Sequence, residues 1–202
     1  MNHLINKIVS YPFDKLRRLL SSVNPNKKNN ELINLSIGEP KKRASKKVLS
    51  ILASNKELFS QYPPLGSMNI LVSAYKSYLS KRFNIKEVAN DNILNLGGTR
   101  EGTFSVIQSL FNKKIKSKKP YVLMPNPFYQ IYGGATLLAG GISKQINLNE
   151  DNGFSLDLNS INENIWKKCQ IFVACYPSNK TGSVLKEEQI RKKKKLSRKY
   201  RI

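Results

Sequence analysis

Long apolar runs are missing from this 202-residue sequence. No stretch nears the ~20 residues a helix needs to cross a bilayer, so no membrane span is expected. The opening MNHLINKIVSYPFDKL has neither an apolar core nor a small-residue cleavage site, so no secretory leader is expected. Cysteine is scarce: Cys169 and Cys175 are the only two. Two cysteines make no disulfide framework, which fits a reducing cytosol. A single histidine, His3, and no cysteine cluster argue against a zinc or other metal site. Acidic residues are few as well, 13 against 35 basic ones, for a net charge of +22. Hydrophobic residues nevertheless make up 40% and aromatics 9%. That suffices for one good core, and at most one domain plus part of another.

The positive charge is concentrated in KKRASKK (41–47), NKKIKSKK (112–119) and RKKKKLSRKYR (191–201). Such a balance taken alone points to nucleic acid or an anionic surface. Lysine far outnumbers arginine, however, and asparagine and isoleucine are abundant too. AT-rich codons spell all three, so the charge reads as solvated surface lysines ahead of a nucleic-acid interface.

Helical spacing appears at 12–23 (Phe13, Leu16, Leu19, Leu20, Val23), at 44–56, and at 68–83, an amphipathic run with Ile70, Leu71, Ala74, Tyr75, Tyr78 and Leu79 on one side. ELINLSIGEP (31–40) reads as a short extended run, and YPPLG (62–66) as a turn. Strands and helices then alternate. NILNL (92–96) is a predicted strand followed by a helix through Phe104, Ile107, Leu110 and Phe111. YVLM (121–124) is a second strand, with a helical stretch to about Leu138, and SKQINL (143–148) a third. A short helix plus loop is expected over 155–165. QIFVAC (170–175) is apolar throughout, as a strand buried on both faces would be, and KEEQIRKKKKLSRKY reads as a basic helix. The alternation predicts an α/β domain with a parallel or mixed sheet.

In open α/β sheets ligands gather where strands give way to helices. Gly97-Gly98-Thr99-Arg100 offers glycines for a tight turn, a helix start with unpaired N–H groups, a hydroxyl and a cation. It fits a phosphate cradle, but by itself reads first as an ordinary glycine turn with a capping threonine. Pro125–Tyr132 carries three aromatics on a proline-stiffened turn, where one ring could stack on a flat cofactor and the others join the core. Pro177–Gly182 presents the Asn179 amide, in residue types that also simply favour turns.

Taken in order, NLSIGEP, QYPPLG, NLGGTREGTF, PNPFYQIY and CYPSNKTG resemble five motifs of the class I/II aminotransferases, the fold-type I enzymes dependent on pyridoxal 5'-phosphate (PLP). YPFDKLRRLL, LSIGEPK and the Thr-Arg-Glu loop look most like the N-succinyldiaminopimelate aminotransferases of lysine biosynthesis. The resemblance implies a three-layer α/β fold. It implies cofactor contacts from Gly98, Thr99 and Arg100 to the phosphate, from Tyr129 to the ring, and from Asn179 to the phenolic oxygen. It implies a substrate-side position for Gly38, and for Tyr62 a contact to the cofactor phosphate of a partner subunit, hence a cytoplasmic homodimer. Amino acids and keto acids would be its substrates, with glutamate as amino donor and N-succinyl-2-amino-6-ketopimelate the favoured acceptor. On this view residues 97–100, 129 and 179 converge on one pocket.

The sequence departs from the family pattern at Lys180, where proline is usual, at Tyr176, which replaces an asparagine, and in KKRASKK, which lacks prolines. Family members are about twice as long. The aspartate, tyrosine, imine-forming lysine and substrate arginine they carry further on are not matched here, so no catalytic lysine is assigned. The tail RKKKKLSRKYRI reads as having lost apolar periodicity, as an altered end would. The expected organisation is an N-terminal segment (1–45), part of a large PLP-binding domain (46–190) and a basic tail (191–202). The alternatives are a non-catalytic fragment of such an enzyme and a basic nucleic-acid-binding protein.

Overall fold

Two stretches of chain fold each upon itself in the computed structural model: Tyr11–Asn95, and Leu96–Ile202 together with Met1–Ser10. Residues 2–8, 11–23, 33, 35–62, 68–112 and 119–202 are described.

The first unit is helical. Helix α1 (Pro12–Leu20) starts on a proline, whose fixed φ suits the first helical position. Asp14 in its first turn and Arg17 in its last oppose the helix dipole and pair at 2.7 Å. Helices α2 (Lys46–Ser54) and α3 (Met68–Phe83) lie within or on the ranges read from periodicity. Burial does not follow. Among the described side chains of α3, Val72 is the one buried hydrophobic, while Ile70, Leu71, Tyr75 and Tyr78 stay exposed. The run 31–40 forms no strand at its described positions; residues 31, 32 and 34 lie outside the described set, as do 63–67 of the predicted YPPLG turn.

NILNL corrects an expectation. Asn90–Asn92 is a 3-10 turn, and Ile93 is extended (φ −126°, ψ 117°), but residues 92–96 join no ladder among the described residues. Extended geometry becomes a strand only when a neighbour takes its N–H and C=O groups. Leu94 remains 79% exposed.

The second unit is the α/β domain. In chain order it holds α4 (Thr99–Leu110), β1 (Tyr121–Asn126), α5 (Ile131–Ala139), β2 (Ile142–Asn147), α6 (Glu163–Lys168), β3 (Cys169–Phe172) and α7 (Glu187–Tyr200). The strands form a three-stranded sheet in the order β2-β1-β3, parallel throughout. Tyr121 pairs with Ile142 and Asn126 with Asn147; Val122 pairs with Ile171 on the other side. The expected helix over 155–165 begins only at Glu163, after Leu156 and Leu158 have entered the core from a loop.

Side-chain alternation along β1 and β3 sorts the core into two faces. Val122 and Met124, with Ile171 and Val173, meet α4 and α5 through Ile107, Ala135 and Tyr132. Leu123 and Phe172 point the other way and join Ile146, Leu156, Trp166, Leu196 and Tyr200. Helices therefore cover both faces, the arrangement a parallel sheet requires and the reason the β1 and β3 segments read as near-continuous apolar runs. This agrees with the three-layer expectation. The tail corrects the reading that apolar periodicity is lost there. Arg191–Tyr200 continues α7, and Leu196, Tyr200 and Ile202 pack against the core. Gln189 ties the helix down by donating to Ser155 Oγ (2.8 Å) and the Leu156 carbonyl (2.9 Å). Among the described residues no helix is long and apolar enough to cross a membrane, and no cluster of three metal-ligating side chains occurs.

Candidate functional site

The sheet topology marks where a site belongs. From β1 the chain crosses one way to β2, then returns past β1 to β3 on its other side. Neighbouring strands whose connections run in opposite directions leave a crevice at their carboxyl ends. Asn126 ends β1 and leads into Pro127, Phe128 and Tyr129; Phe172 ends β3 and leads through Cys175 to Asn179.

These two segments meet. Tyr129, Phe128, Tyr132, Cys175, Asn179 and Lys180 line one small cleft. Tyr129 and Tyr132 stand edge to face, ring centroids 5.8 Å apart at 87°. Spacing of three residues across the start of α5 puts them on one side of the chain. The cleft encloses about 10 Å³, room for one water at most, so what it offers a ligand is its rim.

Arg100 reaches this rim from the first turn of α4. Its Nε donates to the Tyr129 hydroxyl at 2.7 Å, and its guanidinium carbon lies 5.7 Å from the centre of the same ring. Gly98 caps the helix without a side chain, so no side-chain acceptor closes the cap. Its backbone is extended (φ 173°), and a Cβ built there would touch nothing. Gly97 is different: a Cβ would fall 2.8 Å from Glu101 Oε2, because the Glu101 carboxylate folds back over the turn. Gly102 carries a further constraint, since a Cβ there would collide with the Leu96 side chain.

Burial pushes the Tyr132 phenol above its ordinary value, with the neighbouring Cys175 and Tyr129 acting in the same direction. Burial raises Tyr176 as well, again with Cys175 beside it. The Tyr176 hydroxyl is buried and meets no hydrogen-bond partner among the described residues.

Of the residues singled out from sequence, Arg100, Tyr129 and Asn179 are brought together, and Gly98 and Thr99 form the helix start that carries Arg100. Gly38 and Tyr62 belong to the helical unit; both are exposed, Tyr62 at 97%. Sequence analysis gives Tyr132 only as one of the three aromatics of this turn and gives Cys175 no place at the site. Their signals were slight: an aromatic three positions after Tyr129, and a cysteine at the end of a buried strand.

The family profile of aminotransferase class I and II matches residues 30–202. The chain belongs to this family. The match runs to the last residue. An LL-diaminopimelate aminotransferase of Natranaerobius thermophilus is 28% identical over 92% of this chain and 47% of its own. An aminotransferase of Neisseria meningitidis superposes with a TM-score of 0.87 at 34% identity, covering 99% of this chain and 50% of that one. One from Helicobacter pylori gives 0.83 at 29%, over 96% and 50%. The chain thus spans about half the length of the relatives it matches.

Class I and II aminotransferases depend on PLP. The residues present fit that group. A helix start without a side-chain cap, open space at Gly98 and the Arg100 guanidinium suit a phosphate. The Tyr129 ring and the Asn179 amide on one rim suit a polar aromatic ring.

Proposed function

We propose that this chain supplies the cofactor-cradling half of a PLP-dependent aminotransferase acting in the diaminopimelate branch of lysine biosynthesis. The observation that carries the reading is the Arg100–Tyr129 contact at an N-terminus without a side-chain cap, with Asn179 on the same rim. When bound, PLP supplies an electron sink that no side chain can. The chain's own residues bind and orient it. First-turn N–H groups of α4 and Arg100 would hold the phosphate, the Tyr129 ring would face the pyridine ring, and the Asn179 amide would donate to the phenolic oxygen. By the motif resemblance, Gly38 would serve the substrate carboxylate and Tyr62 the cofactor phosphate of a second subunit in a homodimer, which we assign to the cytoplasm.

The substrates are glutamate and a keto acid with the diaminopimelate skeleton. Curated relatives bearing the name LL-diaminopimelate aminotransferase support that skeleton. The N-succinylated acceptor rests on the LSIGEPK and Thr-Arg-Glu motifs. Assay of the chain completed by a second half, offered LL-diaminopimelate or its N-succinyl derivative as amino donor, separates the two. Neither donor being used would overturn the reading.

The 202 residues alone should bind PLP weakly and without covalent capture. The check is borohydride labelling at low PLP with peptide mapping. One dominant labelled lysine together with glutamate-dependent turnover would place the catalytic lysine within this chain.

A further inference from the structure

The cradle holds a second cation, one that cofactor binding leaves unused. Lys180 stands midway along the turn between β3 and α7 and lines the same cleft as Tyr129 and Asn179. Hydrogen bonds close the turn around it. Gly182 N–H donates to the Ser178 carbonyl at 2.9 Å, and Ser178 N–H to the Ser183 carbonyl at 2.8 Å. Thr181 N–H donates to Ser178 Oγ at 3.3 Å, and the Thr181 and Ser183 hydroxyls meet at 3.0 Å. Gly182 takes the left-handed conformation (φ 70°) that lets the chain leave the turn. None of these bonds uses the Lys180 N–H, so the turn does not need the donor that a proline lacks. It fixes where residue 180 sits without calling for a lysine there.

The ammonium has no task inside the chain either. Among the described residues Lys180 enters no ion pair, and no carboxylate lines the cleft. Three of the lining side chains are the rings of Phe128, Tyr129 and Tyr132. A cation beside apolar walls, with no acid to neutralise it, attracts anions more strongly than one in open water. The polar groups of the cofactor already have partners: α4 and Arg100 for the phosphate, Asn179 for the phenolic oxygen. A cation next to Asn179 is therefore left for the second ligand, the amino or keto acid. The two candidate substrates differ in charge at the end away from the reacting carbon. Free diaminopimelate carries an ammonium and a carboxylate there, which cancel. The N-succinyl derivative turns that ammonium into an amide and adds a carboxylate, so its far end is an anion.

We propose that Lys180 is a specificity-determining residue of this chain: its ammonium, on the rim beside Asn179, selects amino and keto acids whose far end is anionic over those whose far end is zwitterionic. The proposal rests on the aminotransferase reading. A single ammonium in this position takes a carboxylate by a charge-assisted hydrogen bond and gains nothing from a far end whose charges cancel. The discrimination is electrostatic, so it weakens as salt screens the exposed lysine.

The test uses the full 202-residue chain, titrated first with PLP and then, once saturated, with glutarate or butyrate. These unreactive probes differ by one distal carboxylate, and calorimetry reads both affinities. Glutarate should bind about tenfold more tightly than butyrate, the worth of one charge-assisted contact. Lys180→Gln should remove most of that preference and leave butyrate unchanged, Lys180→Arg should restore it, and added salt should narrow it. Lys144→Gln, which deletes an exposed cation on β2, controls for net charge and should keep the preference. Lys180 is exposed, and Trp166 emission checks that each variant folds. No glutarate preference in the unmodified chain, a preference that survives Lys180→Gln, or an equal loss in Lys144→Gln would overturn the proposal. Failure of the unmodified chain to bind PLP would overturn the functional reading, and the first titration tells that failure from the others.

Discussion

Arg100 and Tyr129 come from different elements, 29 positions apart, yet the guanidinium both donates to the tyrosine hydroxyl at 2.7 Å and lies against the ring. One element supplies the cation and another the aromatic, so the pair fastens the start of α4 to the loop after β1. This gives Arg100 a positioning duty beside any charge it offers a phosphate.

Arg100→Ala should weaken PLP binding about 10- to 100-fold, the loss expected for a charge-assisted hydrogen bond of about 1.5–3 kcal/mol. Arg100→Lys should recover only part, since an ammonium lacks the planar fork. Tyr129→Phe keeps the ring and loses the bond to Arg100, so it should fall between wild type and Tyr129→Ala. Fluorescence titration with PLP checks the series. Equal affinity across all four would remove these residues from the site.

Trp166 is buried, stacked on Tyr200 at 6.0 Å and 11°, and edge-on to Phe172 at 5.9 Å. It is the only tryptophan, so its emission reports the docking of α7. Tyr200→Ala should shift that emission to the red and destabilise the chain by about 3 kcal/mol, at the low end for a packed aromatic because the ring is not fully buried. Unchanged emission would mean that α7 does not rest on the core.

Gly140 ends α5 in the left-handed region (φ 82°), with its N–H bonded to the Leu137 carbonyl. Gly140→Ala should cost about 1–2 kcal/mol, the strain of a Cβ in that conformation, read as a lower urea midpoint at constant slope.

Tyr176→Phe should leave stability unchanged or raise it by about 1 kcal/mol, because it deletes a buried hydroxyl that meets no partner among the described residues. A loss of more than 1 kcal/mol would reveal a bond made in solution. Tyr132 and Tyr176 are both raised, chiefly by burial. Above a pH of about 10 the unfolded chain releases these protons while the folded chain keeps them. Stability from this source is therefore intact below that pH and falls as pH rises through the folded values. Tyr132→Phe should flatten the fall; ultraviolet phenolate titration against denaturant midpoints measures it.

Periodicity and turn chemistry located α1, α3, β1 and the β3 segment, because helical spacing, prolines and continuous apolar runs are local properties. Gly98-Thr99-Arg100, Tyr129 and Asn179 could be named from motif order alone. Tertiary structure alone decided that Arg100 bonds Tyr129, that Tyr132 and Cys175 join Asn179, and that Leu196 and Tyr200 make a core face of a lysine-rich helix. Each of these depends on elements distant in sequence. NILNL shows the same division from the other side: its residues favour an extended chain, but a strand exists only where another strand meets it, and no neighbour does so among the described residues.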